Sequence, residues 1–141
     1  MPATQNKVFL DATYLIALVS ERDQFHPAAM QLMDALAANQ IRIITTQAVL
    51  VEFANSLARP KFRLKAGRTI DDFQRDPSIE IIPLTGELFE KAFALFRERA
   101  DKAWGLTDCI SFVVMQERGI SEALTADEHF EQAGFTALLN H

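Results

Sequence analysis

The hydrophobic positions of this chain change period repeatedly along its length. Residues 7–11 (KVFLD) form a short apolar run ending in an acid, the pattern of a buried strand. Helical spacing follows in ATYLIALVSERD, with Leu15, Leu18 and Val19 on one side. His26-Pro27 opens an amphipathic helix, proline being suited to the first helical position, and Ala29, Leu32, Met33, Leu36 and Ala37 form its inner face. The β-branched run 41–46 (IRIITT) reads as a second strand. A helix over 47–58 presents Val49, Leu50, Phe53, Ala54 and Leu57, and Pro60 ends it. Residues 59–75 read as a weaker helix or a helical hairpin arm, and 79–84 (IEIIPL) as a third strand with Pro83 near its end or on an edge. Helices over 87–100 and 107–118 come next, the second apolar nearly all round and therefore buried, with Gly119 as its C-terminal cap. Strands over 122–125 and 135–139 flank a short helix ending at Gly134. Alternating strands and helices predict an α/β fold, a three-layer α/β/α sandwich on a mainly parallel sheet of about five strands.

Composition narrows this without changing it. At 141 residues, with 49% apolar and 23% charged positions, the chain fits one globular domain over 1–141 with a substantial core. Eleven phenylalanines predict that this core is rich in aromatics. No repeat, low-complexity tract or Gly/Ser linker divides it. No apolar run reaches the ~20 residues of a membrane span, and no basic-then-apolar leader precedes the first strand, so the expected location is cytoplasmic. A single cysteine, Cys109, excludes an internal disulfide and a cysteine-based zinc site.

The net charge of −5 argues against generic, salt-driven nucleic-acid binding, but the charge is unevenly spread. Between 59 and 75, Arg59, Lys61, Arg63, Lys65, Arg68 and Arg75 face only Asp71 and Asp72, a local +4 that leaves −9 on the remainder. Such a patch can follow a phosphate backbone, or be an ordinary solvated face.

Three aspartates fall where strands end or helices begin: Asp11 after the first strand, Asp108 in the first turn of the buried helix, and Asp127 after the fourth strand. Each taken singly is accounted for as a helix cap. Together they lie at the carboxyl side of a parallel sheet, where α/β proteins place their sites. Glu52 sits at the edge of its helix's apolar face, the position of an ordinary solvated glutamate, or of one turned toward the same crevice. Carboxylates crowded there must either hold protons or bind a cation, and oxygen ligands suit Mg²⁺ or Mn²⁺. Such an ion acidifies a water and stabilises phosphoryl charge, the equipment for phosphodiester hydrolysis.

Competing chemistries find less support. The glycines are scattered, so there is no phosphate loop. His26, His129 and His141 are spread along the chain, Cys109 sits in an apolar helix, and Ser111 has no histidine at a recognisable spacing. A phospho-acceptor receiver would show an acidic pair after the first strand and a late lysine. Here Ala12 follows Asp11, and no lysine follows Lys102.

The succession FLDATYLIAL, TQAVLVEFANSL, WGLTDCISFVVM and ALTADEHFEQAGF resembles the PIN-domain ribonucleases, in particular VapC-type toxins of toxin–antitoxin pairs. The resemblance runs from about Val8 to Leu138. It implies a magnesium- or manganese-dependent site that cuts single-stranded RNA, with Asp11, Glu52, Asp108 and Asp127 as its acidic residues and Asp11 and Asp108 as principal metal ligands. It further implies a homodimer and an antitoxin partner. The family's first motif often continues with threonine and then asparagine or serine, whereas Ala12 and Thr13 stand here. Thr13 and Thr107 become candidates for supporting hydroxyls. The basic arm, with Arg59, Lys61, Arg63, Lys65 and Arg68, falls where such proteins carry a helical clamp that contacts RNA or a partner. The reading from another class is an α/β module that binds RNA or protein without cutting.

Overall fold

A computed structural model describes residues 5–140, so His141 lies outside the described residues. Five strands form one parallel sheet in the order β3-β2-β1-β4-β5: β1 (Lys7–Leu10), β2 (Arg42–Thr46), β3 (Ile79–Ile82), β4 (Glu122–Leu124) and β5 (Thr136–Ala137). Helices α1 (Ala12–Val19) and α2 (His26–Ala38) connect β1 to β2; α3 (Gln47–Ser56) and α4 (Pro60–Arg75) connect β2 to β3. Helices α5 (Gly86–Glu98) and α6 (Leu106–Arg118) lead to β4, and α7 (Glu128–Gln132) leads to β5. The architecture is the three-layer α/β sandwich that the hydrophobic pattern predicts. Among the described residues no helix is long and apolar enough to cross a membrane.

Local chemistry accounts for where the elements begin. The Thr46 and Thr85 hydroxyls accept the Val49 and Leu88 N–H groups and so cap α3 and α5. Proline occupies the first turn of both α2 and α4, where its missing N–H costs nothing. At the end of α6, Gly119 takes the left-handed conformation, φ 65°. There Ile120 N–H donates to the Met115 carbonyl and Gly119 N–H to that of Gln116, the reciprocal pair of a Schellman cap.

β1 is the centre of the sheet, and Val8, Phe9 and Leu10 are fully buried. Burial on both faces is what a continuous apolar run in a parallel sheet demands. β3 is an edge strand, and Pro83 lies just beyond its last residue, where no ladder donor is needed. The final strand is shorter than its sequence suggests. Only Thr136 and Ala137 pair, and residues Leu138–Asn140 turn into a 3₁₀ helix as Leu139 N–H donates to the Thr125 carbonyl. Residues 60–75 form one continuous helix rather than a hairpin.

Phe9, Phe53, Phe112 and Phe130 meet the expectation of an aromatic-rich core. Phe112 packs edge-on against Trp104 and Phe130, each with its ring centre 5.0 Å away, and Phe130 lies 6.4 Å from Phe9. This chain of rings joins β1, α6 and α7, the elements that carry Asp11, Asp108 and Asp127. Edge-to-face pairs contribute about 0.5–1.5 kcal/mol beyond area burial, so the cluster fixes those elements relative to one another. Phe89 and Phe96 depart from the expectation; they stand 38% and 43% exposed on α5.

Candidate active site

The strand order reverses at β1, whose successor in sequence, β2, lies on one side while β4 lies on the other. In an open parallel sheet the strand connections diverge at such a point and leave a crevice beyond the carboxyl ends. Asp11 closes β1 there, and its N–H donates to the Leu124 carbonyl at the end of β4 over 3.2 Å. The side chain is nearly inaccessible, at 3% exposure, and its Oδ2 accepts the hydroxyls of Thr13 (2.8 Å) and Thr125 (2.9 Å). Thr13, the departure in the first motif, therefore positions the aspartate itself. Burial raises the Asp11 pKa, the two hydroxyls oppose that, and the charge of Asp108 adds to it.

Asp108 occupies the third position of α6. Its Oδ2 accepts the Gly105 N–H at 3.2 Å, half of a capping box closed by a glycine that has no side chain to return the bond. The same oxygen lies 2.9 Å from Nδ1 of His129. Facing an ionised carboxylate, Nδ1 must carry the proton and donate it. Both hydrogen bonds thus fall on one oxygen, and Oδ1 takes none among the described residues. Burial raises the Asp108 pKa, with His129 and Gly105 opposing and Asp127 adding.

Asp127 caps α7 as the sequence suggests. Its Oδ1 accepts the His129 N–H at 2.9 Å, and its own N–H donates to Thr125 Oγ1 at 3.0 Å. His129 Nδ1 is 3.5 Å from that carboxylate. Glu52 is half-buried on α3 and shares the crevice. Burial raises its pKa first, then the charges of Asp11 and Asp108, with a Thr107 hydrogen bond opposing and Asp127 adding a smaller push. Glu52, half-exposed at the edge of a groove, therefore lies within electrostatic reach of the three aspartates. Thr107 meets Glu52, not Asp108, its neighbour in sequence.

Asp11, Glu52, Asp108 and Asp127 thus share one crevice and feel one another's charge, Asp108 and Asp127 standing closest, with Thr13 and Thr107 each hydrogen-bonded to one of the four. Two residues that the sequence does not single out join this group. Thr125 is fully buried against Asp11, and His129 binds Asp108 and approaches Asp127. Both lie two residues from Asp127 in the order Thr-x-Asp-x-His, a spacing that the sequence displays but that scattered histidines conceal. His129's pKa is raised; burial works against this, but the Asp108 hydrogen bond and the charges of Asp127, Asp108 and Glu128 outweigh it.

Carboxylate oxygens of Asp108 and Asp127 and a ring nitrogen of His129 lie within 4.8 Å of one another. Four carboxylates facing a single histidine are an incompletely compensated anionic cluster. An oxygen-rich donor set of that kind fits Mg²⁺ or Mn²⁺. Among the described residues, cavities adjoin it on two sides. A groove of about 1010 Å³, lined among others by Val51, Ile70, Leu84, Phe89 and Ile110, reaches Glu52 and Thr107. A smaller one of about 310 Å³ adjoins Thr13 and Asp127. Arg59, Lys61, Arg63, Lys65 and Arg68 are exposed on or beside α4, and none is salt-bridged among the described residues. Cys109 is buried in the core.

The PIN domain family model matches residues 8–136. Over 128 residues, 91% of this chain and 95% of the relative, the sequence is 26% identical to the 23S rRNA-specific endonuclease VapC20 of Mycobacterium tuberculosis. The crystal structure of that protein, described as a sarcin-ricin loop cleaving toxin, superposes with a TM-score of 0.81 at 25% identity, covering 92% of this chain and 96% of that one. VapBC2 from Rickettsia felis, bound to a DNA fragment from their promoter, superposes with a TM-score of 0.69 at 15% identity over 93% and 96% of the two chains, a likeness of fold. FitAcB from Neisseria gonorrhoeae gives 0.65 at 14% identity over 92% and 94%. With a family match that spans nearly its whole length, this chain belongs to the PIN-domain family.

Proposed function

We propose that this chain is a metal-dependent endoribonuclease of the VapC toxin type, hydrolysing phosphodiester bonds in unpaired RNA. The observation that carries the reading is the convergence of Asp11, Glu52, Asp108 and Asp127 at the topological switch point of the sheet, three of them with raised pKa values. Asp11 and Asp108 are its principal metal ligands, with Glu52 and Asp127 completing the acidic set. A bound Mg²⁺ or Mn²⁺ would supply charge neutralisation among these carboxylates and a more acidic water for attack at phosphorus.

The protein's own residues prepare that chemistry. Thr13 and Thr125 hold one Asp11 oxygen, so the carboxylate cannot rotate freely. Gly105 and His129 hold one Asp108 oxygen and leave the other available. His129 draws Asp108 and Asp127 toward a common point and partly offsets their repulsion. The exposed cations of α4 offer phosphate contacts that extend beyond the cleavage point, on a chain that is otherwise acidic. The apolar groove and the exposed Phe89 and Phe96 support association with a second copy, and the VapBC2 relative supports an antitoxin partner.

Purified protein should cut single-stranded RNA when Mn²⁺ or Mg²⁺ is present, and 23S rRNA, the substrate in the relative's name, is the first natural RNA to test. Asp11→Asn and Asp108→Asn should each lower the rate by at least about a hundredfold. Cleavage that persists in excess chelator, or in both variants, would sink the assignment. RNA binding with no cleavage under any divalent ion would favour the non-cutting module.

A further inference from the structure

The 310 Å³ cavity that shares Thr13 and Asp127 with the carboxylate site is not needed to hold a metal, and its lining suggests another occupant. One side comes from the loop between α1 and α2, through Asp23, Gln24 and Phe25. The other comes from Ala126 and Leu139, beyond β4 and β5. Both sides are pinned. Asp23 Oδ1 accepts the Phe25 N–H at 2.8 Å, and His26 Nδ1 lies 2.8 Å from the Ala17 carbonyl. Opposite, Leu139 N–H donates to the Thr125 carbonyl, and the Asn140 amide donates to that of Ala126. The walls are therefore set before any ligand arrives, which lowers the ordering cost of binding.

The charges determine what can enter. Among the described residues Asp23 and Asp127 are the only ionisable groups lining the cavity, and both are acidic, so a phosphate is repelled while a neutral ring is not. The size lies near the lower end of small-molecule pockets, adequate for a base and too small for a folded RNA element. Half-buried Phe25 lines the cavity, and an aromatic side chain is the usual means of holding an unstacked base. The exposed Gln24 amide offers both a donor and an acceptor, and the second Asp23 oxygen takes no hydrogen bond among the described residues. Amides and carboxylates are the groups that read base edges.

We propose that this cavity receives the unpaired nucleobase adjoining the phosphate held at the carboxylate site, with Phe25 as its stacking partner and Gln24 and Asp23 reading its edge. The inference rests on the nuclease reading for the position of that phosphate. It goes beyond that reading by assigning specificity to the loop at residues 23–25.

Short single-stranded oligoribonucleotides carrying 2-aminopurine at successive positions test it, bound in Ca²⁺ so that fluorescence reports stacking without turnover. One position should be quenched by the wild-type chain. Phe25→Leu should abolish that quench and weaken binding about tenfold, while Mn²⁺ affinity stays at the wild-type value. Gln24→Ala, at an exposed position that does not threaten folding, should flatten base preference next to the cut at least about fivefold in a randomised RNA pool. Equal quenching at every position, or an unchanged quench in Phe25→Leu together with unchanged preference in Gln24→Ala, overturns the pocket even if cleavage is intact. A Phe25-dependent quench in a protein that cuts nothing in Mn²⁺ overturns the nuclease reading and leaves the pocket standing.

Discussion

At the scale of single residues, the site stores electrostatic cost. Asp11, Glu52 and Asp108 have folded pKa values above the ordinary value of about 4, burial being the first cause in each. A carboxyl raised on folding contributes stability fully below its unfolded pKa and loses it as pH rises through the folded one. His129, also raised, works in the same direction from about pH 6.5 upward. Metal-free protein should therefore lose thermal stability as pH rises from about 5 to about 8. Asp11→Asn should flatten that profile and raise stability toward the alkaline end, because an amide carries no charge for burial to penalise while it can still accept from Thr13 and Thr125. Superimposable melting profiles in chelator for the two proteins would contradict this account. His129 makes a second prediction. His129→Ala should weaken Mn²⁺ binding about 10–100-fold by calorimetry, as loss of a group orienting a ligand does. His129→Asn, which restores a donor near Nδ1, should recover most of it; equal losses in the two would point to direct ligation instead.

At the scale of elements, the basic helix α4 is the informative one. Only Ala66 and Phe73 of its 16 residues are buried, so it is held by a narrow seam. Charged residues outnumber apolar ones along such a helix, which is why residues 59–75 read as a weaker helix or a helical hairpin arm. The cations crowd one segment without carboxylate partners among the described residues, so their expected work is outside the molecule. Replacing Lys61, Arg63 and Lys65 by Gln should reduce the slope of log affinity against log salt for single-stranded RNA by about 0.7 for each phosphate that is no longer neutralised. Helical content, read by circular dichroism, should not change. A salt slope identical to wild type would remove this helix from the RNA path. Element boundaries elsewhere are legible wherever a cap residue marks them, as at Thr46, Thr85 and Gly119. They are not legible at β5, where hydrogen bonding to Thr125 ends the strand after two residues.

At the scale of the whole molecule, a divalent cation that binds only the folded chain must stabilise it by mass action. Mn²⁺ at about a hundred times its dissociation constant should add about 2.7 kcal/mol, and Asp11→Asn together with Asp108→Asn should abolish the gain. A melting temperature indifferent to Mn²⁺ would remove the metal site. The exposed apolar side chains Val51, Leu84 and Phe89 line one open groove, and Phe96 is exposed farther along α5. Light scattering at tens of micromolar should give twice the chain mass, and Phe89→Glu should return it to the monomer. A monomer in the wild-type chain would leave that groove to another partner.

The alternation of strands and helices, the buried central strand and the three aspartates at the carboxyl ends are all legible in the hydrophobic pattern. Local rules suffice for these: apolar runs form interior strands, and acids fall at strand ends and helix starts, where Asp108 and Asp127 accept backbone N–H groups. Glu52 illustrates what the sequence could not decide. Its helical position is equally consistent with solvent and with the crevice, and only the packing of α3 beside the sheet turns it toward Asp11 and Asp108. His129 illustrates the same limit from the other side. Two residues from Asp127 and 21 from Asp108, it serves both because α6 and α7 are clamped together through Phe112 and Phe130. Convergence of groups distant in sequence depends on strand order and interlayer packing, which are non-local, and so the tertiary structure alone assembled the site.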